Sequence, residues 1–259
     1  MNITIDADVF LFDLDGTIYL GDVPIPGAIE TVKYLESLGK RVFFLTNNSG
    51  HTGSEYVKKL AKLGYLAQPD QIISSGDATI WYLKSNRSGK SVFPLATKTF
   101  TDELKKNSIP ISKEADIVLL AFDTTITYEK IWHANILLSK GCEFITTHGD
   151  LVCPSEFGNM PDVGSLTALF TSSSGRKPDV ICGKPYSIMA ELINQRIKNV
   201  SLDRVLMIGD RLYTDILFGI KNGYRSVVVL TGETSSDVLD RSDIKPDHIF
   251  NSVNDLVQL

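Results

Sequence analysis

Val9-Phe10-Leu11-Phe12-Asp13-Leu14-Asp15-Gly16-Thr17 sets four large apolar residues directly against two carboxylates and a glycine. The apolar run has the continuity of a strand buried on both faces. Asp13 and Asp15 alternate, so beyond such a strand they can aim at one place. Open α/β sheets bind ligands at that end of their strands. Alone, the same letters also describe an Asp-Gly turn between two strands. The continuation argues against the turn. Pro26 and Gly27 open a helical pattern with Ile29, Val32, Leu35 and Leu38 apolar, and Gly39 closes it, the usual placing of Pro near a helix start and Gly past its end.

Working outward, short apolar runs alternate with helical patterns, as in a parallel sheet covered by helices. Residues 41–45 read as a second strand. Thr52 and Glu55 suit a capping box before a helix carrying Val57, Leu60 and Leu63, and residues 72–74 read as a third strand. Toward the other end, residues 205–208 and 226–230 read as strands around a helix from about Thr214 to Asn222. Between the two ends lies a second series, with strands at 91–95, 117–122 and 143–146 and helices beginning near Thr99, Tyr128 and Gly164. The expected architecture is α/β: a Rossmann-like parallel sheet core with helices on both faces, plus an inserted α/β cap domain. Residues 1–78 and 182–259 form the core and 79–181 the insert. Ser172-Ser173-Ser174-Gly175 and Pro178 mark a loop near its exit. Tyr128 and Trp132 are expected to pack the cap interior.

The chain has 259 residues, 43% hydrophobic and 22% charged, with a formal net charge of −5. That length accommodates two domains and a substantial core. The acidic balance gives no general reason to bind a nucleic acid polymer or an anionic membrane. A site for an anionic substrate must then be built locally. Cys142, Cys153 and Cys182 are odd in number and include no C-x-x-C pair, which indicates neither a disulfide framework nor a zinc cage. No apolar run is long enough to span a bilayer and the first residues lack a signal-peptide pattern. The expected location is cytoplasmic.

Three further clusters carry chemistry. Thr46-Asn47-Asn48-Ser49 directly follows the second strand, where a hydroxyl, amides and backbone N–H groups suit phosphate oxygens. Taken alone it reads better as a polar turn before a helix. Gly183-Lys184-Pro185 offers a compact ammonium, although a lone Gly-Lys-Pro is more often an exposed turn. Gly209-Asp210-Arg211-Leu212-Tyr213-Thr214-Asp215 follows a strand and precedes a helix. Asp210 suits Mg²⁺, which takes a few carboxylate oxygens and keeps waters. Asp215 also reads simply as a negative charge near a helix N-terminus.

In the order D-x-D-G-T, T-N-N, K-P, G-D-x-x-x-x-D, the sequence resembles the haloacid dehalogenase-like phosphatases. An insert between the second and third motifs resembles the branch with a large α/β cap, which includes the NagD-like and 4-nitrophenyl phosphatases. The resemblance implies hydrolysis of a small phosphorylated metabolite through an aspartyl-phosphate on Asp13, with Asp15 as general acid and base. It implies Mg²⁺ held by the Asp13 carboxylate, the Asp15 carbonyl and Asp210. It assigns phosphoryl oxygens to Thr46 and the Asn47 backbone, charge neutralisation to Lys184, and supporting places to Asn48 and Asp215. The cap would close over the substrate, with residues 147–150 through 161–164 facing it and His148 read as an ordinary loop histidine. A phosphotransferase or mutase would use the same intermediate. A receiver-like phospho-acceptor needs neither Asp15 nor a cap. Pairing of two copies through the cap surface leaves no mark in the sequence.

Overall fold

Val9–Asp13 lies centrally in a six-stranded sheet, in the computed structural model, which describes residues 2–3, 5–154 and 158–258. From one edge the strands run His248–Phe250, Arg225–Val229, Val205–Gly209, Val9–Asp13, Arg41–Thr46 and Ile72–Ser74. Numbered along the chain and counted from the Ile72–Ser74 edge, this is the spatial order 3-2-1-4-5-6, the Rossmann arrangement, and the pairings from His248–Phe250 through Arg41–Thr46 are parallel. The chain builds one half of the sheet outward from Val9–Asp13, then returns to lay Val205–Gly209 on its other side. The strand order reverses between these two, and there the loops diverge and leave a crevice. Phe12 pairs with Ile208 in register, so Asp13 is level with Gly209 and Asp210 follows one residue beyond it.

The chain divides into two compact units: residues 1–46, 53–73 and 185–259, and residues 47–52 and 74–184. The first holds the six-stranded sheet. Its strands are apolar on both faces because helices cover both. Phe10, Phe12, Leu14, Val32, Leu35, Phe44 and Leu60 belong to one buried cluster, each such side chain contributing about 1.5–3 kcal/mol of burial. The helix Ala28–Ser37 presents Ile29, Val32 and Leu35 to it, and Gly39 follows in a left-handed conformation, which glycine adopts without a Cβ clash. The expected helix from about Thr214 begins instead with a wide π-helical turn, Leu212–Ile216, continuing as Leu217–Lys221. Such turns recur at functional sites.

The second unit carries its own parallel sheet, ordered Val180–Ile181, Glu143–Thr146, Ile117–Leu120, Val92–Leu95. Its helices include Lys98–Lys106, Tyr128–Ser139 and Val163–Ser174, N-capped by the Thr97, Thr127 and Asp162 side chains. Val118, Leu120, Ala134, Leu138, Phe144 and Phe170 form its core. One expectation is corrected here. Tyr128 and Trp132 are 82% and 62% exposed. Their helix buries Ala134, Leu137 and Leu138, and at about 100° per residue positions 128 and 132 fall on the opposite side. No helix among the described residues is long and apolar enough to cross a membrane.

Candidate active site

In the first unit, oxygens of Asp13, Asp210 and Asp215 lie within 4.8 Å of one another. Each owes its place to the fold. Asp13 ends the central strand, half-buried. Asp210 is the residue after Val205–Gly209, and its carboxylate accepts the Glu233 N–H at 2.7 Å. Asp215 is fully buried in the π-helical turn and accepts the Arg211 N–H at 3.1 Å. The turn therefore folds Asp215 back to the carboxylate set.

Three glycines make room for this cluster. A Cβ on Gly16, whose φ is +92°, would stand 2.5 Å from Asp210 Oδ2. A Cβ on Gly232 would collide with the Asp210 carboxylate, and one on Gly209 with Asp215. Gly16 is tied down by a 2.6 Å hydrogen bond from the Thr231 hydroxyl to its carbonyl. Side chains are thus excluded around a set of three carboxylates. Like charges gathered so closely call for a cation, and an all-oxygen donor set suits a hard divalent one.

Asp15 is separate. Its side chain is exposed and accepts the Tyr19 hydroxyl at 3.4 Å. Tyr19 is fully buried, with the Lys59 ammonium 3.9 Å from its ring centroid. Burial first, then the neighbouring Asp15 charge, raises the Tyr19 phenol far above its ordinary range, so it stays a donor. One carboxylate thus stands apart, bonded to Tyr19, while Asp13 stands in the cluster. Thr46 ends the neighbouring strand, buried.

The second unit holds Asn47, Asn48 and Lys184. Lys184 is 2% exposed, unlike the solvated lysine of an ordinary turn. Asn48 closes a small turn by accepting the Gly50 N–H at 2.8 Å. The Asn47 side chain is engaged with Asp150 and the Lys184 main chain, a pairing the sequence did not suggest. His148 sits in a loop, as expected, but is fully buried. Its Nε2 is 2.9 Å from Asp162 Oδ1 and its Nδ1 is 3.0 Å from the Thr147 hydroxyl. Asp162 also accepts the Val163 N–H. With Nε2–H donating to the carboxylate, Nδ1 accepts from Thr147. Of the stretch expected to face substrate, residues 155–157 lie outside the described residues.

A Rossmann-ordered sheet with carboxylates clustered near its switch point, and one carboxylate set apart from them, fits a hydrolase of the α/β class whose cluster suits a cation. Comparison with known proteins agrees. Residues 10–109 match the family model "Haloacid dehalogenase-like hydrolase", and residues 181–256 match the HAD-hydrolase-like model. A 5′-nucleotidase of Bacillus subtilis (strain 168) is 33% identical over 249 residues, 96% of each chain. A crystal structure of a 4-nitrophenylphosphatase from Thermotoga maritima superposes with a TM-score of 0.94 at 39% identity, covering 97% of this chain and 96% of that one. A glycerol phosphate phosphatase from Mycobacterium tuberculosis, solved in complex with magnesium, gives 0.90 at 25% identity, covering 98% and 77%. The chain belongs to the haloacid dehalogenase-like hydrolases, in their NagD-like, 4-nitrophenyl phosphatase branch. It is a phosphatase, of a family whose phosphatases are generally metal-dependent.

Proposed function

We infer that the protein hydrolyses phosphate monoesters of small metabolites, with Mg²⁺, through an aspartyl-phosphate on Asp13. The observation that carries this reading is the division of carboxylates: Asp13 joins Asp210 and Asp215 within 4.8 Å, while Asp15 is exposed and bonded to Tyr19. The Asp13 and Asp210 carboxylates and the Asp15 carbonyl would hold the cation. Bound there, Mg²⁺ supplies positive charge that offsets the repulsion between a carboxylate nucleophile and a phosphate.

An Asp13 oxygen attacks phosphorus as the bond to the leaving oxygen breaks, and Asp15 gives that oxygen its proton. Asp15, now a carboxylate, takes a proton from water. The water oxygen attacks phosphorus and the bond to Asp13 breaks, returning Asp13 ionised and Asp15 protonated. Thr46, the Asn47 backbone and Lys184 bind the phosphoryl oxygens and balance their charge, which is most of what in-line displacement requires. The name of the Bacillus relative and that of the Mycobacterium structure point to nucleoside or polyol monophosphates as the substrates to screen first.

Hydrolysis of an aryl phosphate is expected to require Mg²⁺ and to vanish in Asp13→Asn. Acid quenching during turnover should leave a phosphate adduct on the peptide containing Asp13. Full activity after EDTA treatment, or an adduct on another residue, would overturn the mechanism.

A further inference from the structure

Asn47 belongs to a motif read as phosphate-binding, yet its side chain is used up elsewhere. Its Oδ1 accepts the Lys184 N–H at 2.8 Å, and its Nδ2 donates to the Lys184 carbonyl at 3.0 Å. The amide thus pairs with both main-chain groups of one residue, as a neighbouring strand would. The same Nδ2 lies 3.2 Å from each oxygen of Asp150. All these groups are buried: Asn47, Asp150 and Lys184 are 7%, 7% and 2% exposed.

An amide has one donor end and one acceptor end. A carboxylate accepts only. Asp150 therefore reinforces the choice that the Lys184 N–H and carbonyl already favour, and holds the Asn47 amide in that orientation. Turned over, Asn47 would set an oxygen against two carboxylate oxygens and an NH₂ against an N–H. In a buried network such mispairing costs about 1–3 kcal/mol for each group left unsatisfied. The surrounding backbone is shaped to this arrangement. A Cβ on Gly183 would stand 2.6 Å from Asn47 Oδ1, so the residue before Lys184 must lack one. The Asp150 carbonyl accepts the Gly164 N–H at 2.8 Å, and a Cβ on Gly164 would collide with the Gly149 carbonyl. Asp150 is held by its own main chain and is not free to follow Asn47.

We propose that Asp150 is a positioning residue for Lys184, acting through the Asn47 amide. This rests on the reading that Lys184 binds the phosphoryl group. Asp150 touches neither substrate nor metal in this scheme. It anchors the Asn47 amide, Asn47 fixes the Lys184 backbone, and the backbone directs the ammonium.

The test uses the whole protein with Mg²⁺ and inorganic phosphate as the probe, its binding measured by calorimetry beside each variant's thermal midpoint. Lys184→Ala should weaken phosphate binding about tenfold or more. Asp150→Ala should weaken it about tenfold with folding retained, and should add nothing in the Lys184→Ala background, because the two act in series. Asn47→Asp, which sets carboxylate against carboxylate, should be worse. Asn47→Asp with Asp150→Asn restores a donor facing an acceptor and should regain part of the loss. Asp150→Asn, nearly isosteric, serves if Asp150→Ala does not fold, and should show a smaller loss in the same direction. Equal losses on altering Asp150 with and without Lys184, or no loss, would overturn the clamp. Wild-type phosphate binding by Lys184→Ala would overturn the reading of Lys184 itself.

Discussion

The two units solve the problem of buried charge in opposite ways. The first gathers three carboxylates within 4.8 Å and clears side chains from around them with Gly16, Gly209 and Gly232. The second answers donors with acceptors, His148 on Asp162 and Asn47 on Asp150. A pair of like charges 4 Å apart repels by on the order of 4 kcal/mol at an effective dielectric of 20. Repulsion of that size is what a bound cation would offset in the first arrangement.

Asp13→Asn should have the largest effect and break the contrast at its functional end. It keeps the shape of the cluster but removes the proposed nucleophile, so kcat on an aryl phosphate should fall by about 10⁴-fold or more. His148→Leu attacks the balanced unit instead. It leaves the buried Asp162 without its imidazole and should destabilise by about 3 kcal/mol in urea unfolding. Asp215→Asn sharpens the contrast. It relieves repulsion while keeping an oxygen for the Arg211 N–H, so the protein in EDTA should be stabilised by about 1 kcal/mol. The rise in thermal midpoint on adding Mg²⁺ should shrink in the same variant.

The smallest effect belongs to a charge pair far less buried than either cluster. The Arg204 guanidinium donates to Asp8 and holds its carboxyl at about 2, below the ordinary 3.8. A lowered carboxylate stabilises the fold above about 3.8, and that contribution is lost as pH falls through about 2. Asp8 is 47% exposed, so solvent screening leaves about 0.5 kcal/mol. Arg204→Met should lose that amount in urea at pH 6 and converge with the unaltered protein near pH 2, in paired denaturation curves. A gap persisting at pH 2 would mean that Arg204 acts through packing instead.

Much of this could be read in the sequence where the signal is local. Val9–Asp13 and its companion strands are runs of large apolar residues, and each carboxylate motif directly follows such a run. What escaped depends on contacts between distant residues or on which way a helix faces. Asn47 meets Asp150 across 103 positions and Lys184 across 137, and no spacing announces either. Asp215 was assigned a supporting place but also read as a helix-start charge, because an ordinary α-turn was expected where Leu212–Ile216 is wider. Tyr128 and Trp132 look like a buried pair by type. Only the phase set by Ala134, Leu137 and Leu138 shows that they point out. His148 was read as an ordinary loop histidine because Asp162, its partner, sits 14 residues away.

The exposure of Trp132 has a spectroscopic consequence. The chain has two tryptophans, Trp81 and Trp132, and both lie in the second unit. Intrinsic emission therefore reports on that unit, with Trp132 already in water at its red end before any unfolding. The Asp13, Asp210 and Asp215 carboxylates sit in the unit that has no tryptophan. A fluorescence melt and a circular-dichroism melt of this protein measure different things, and their separation is a direct reading of whether the two units unfold together.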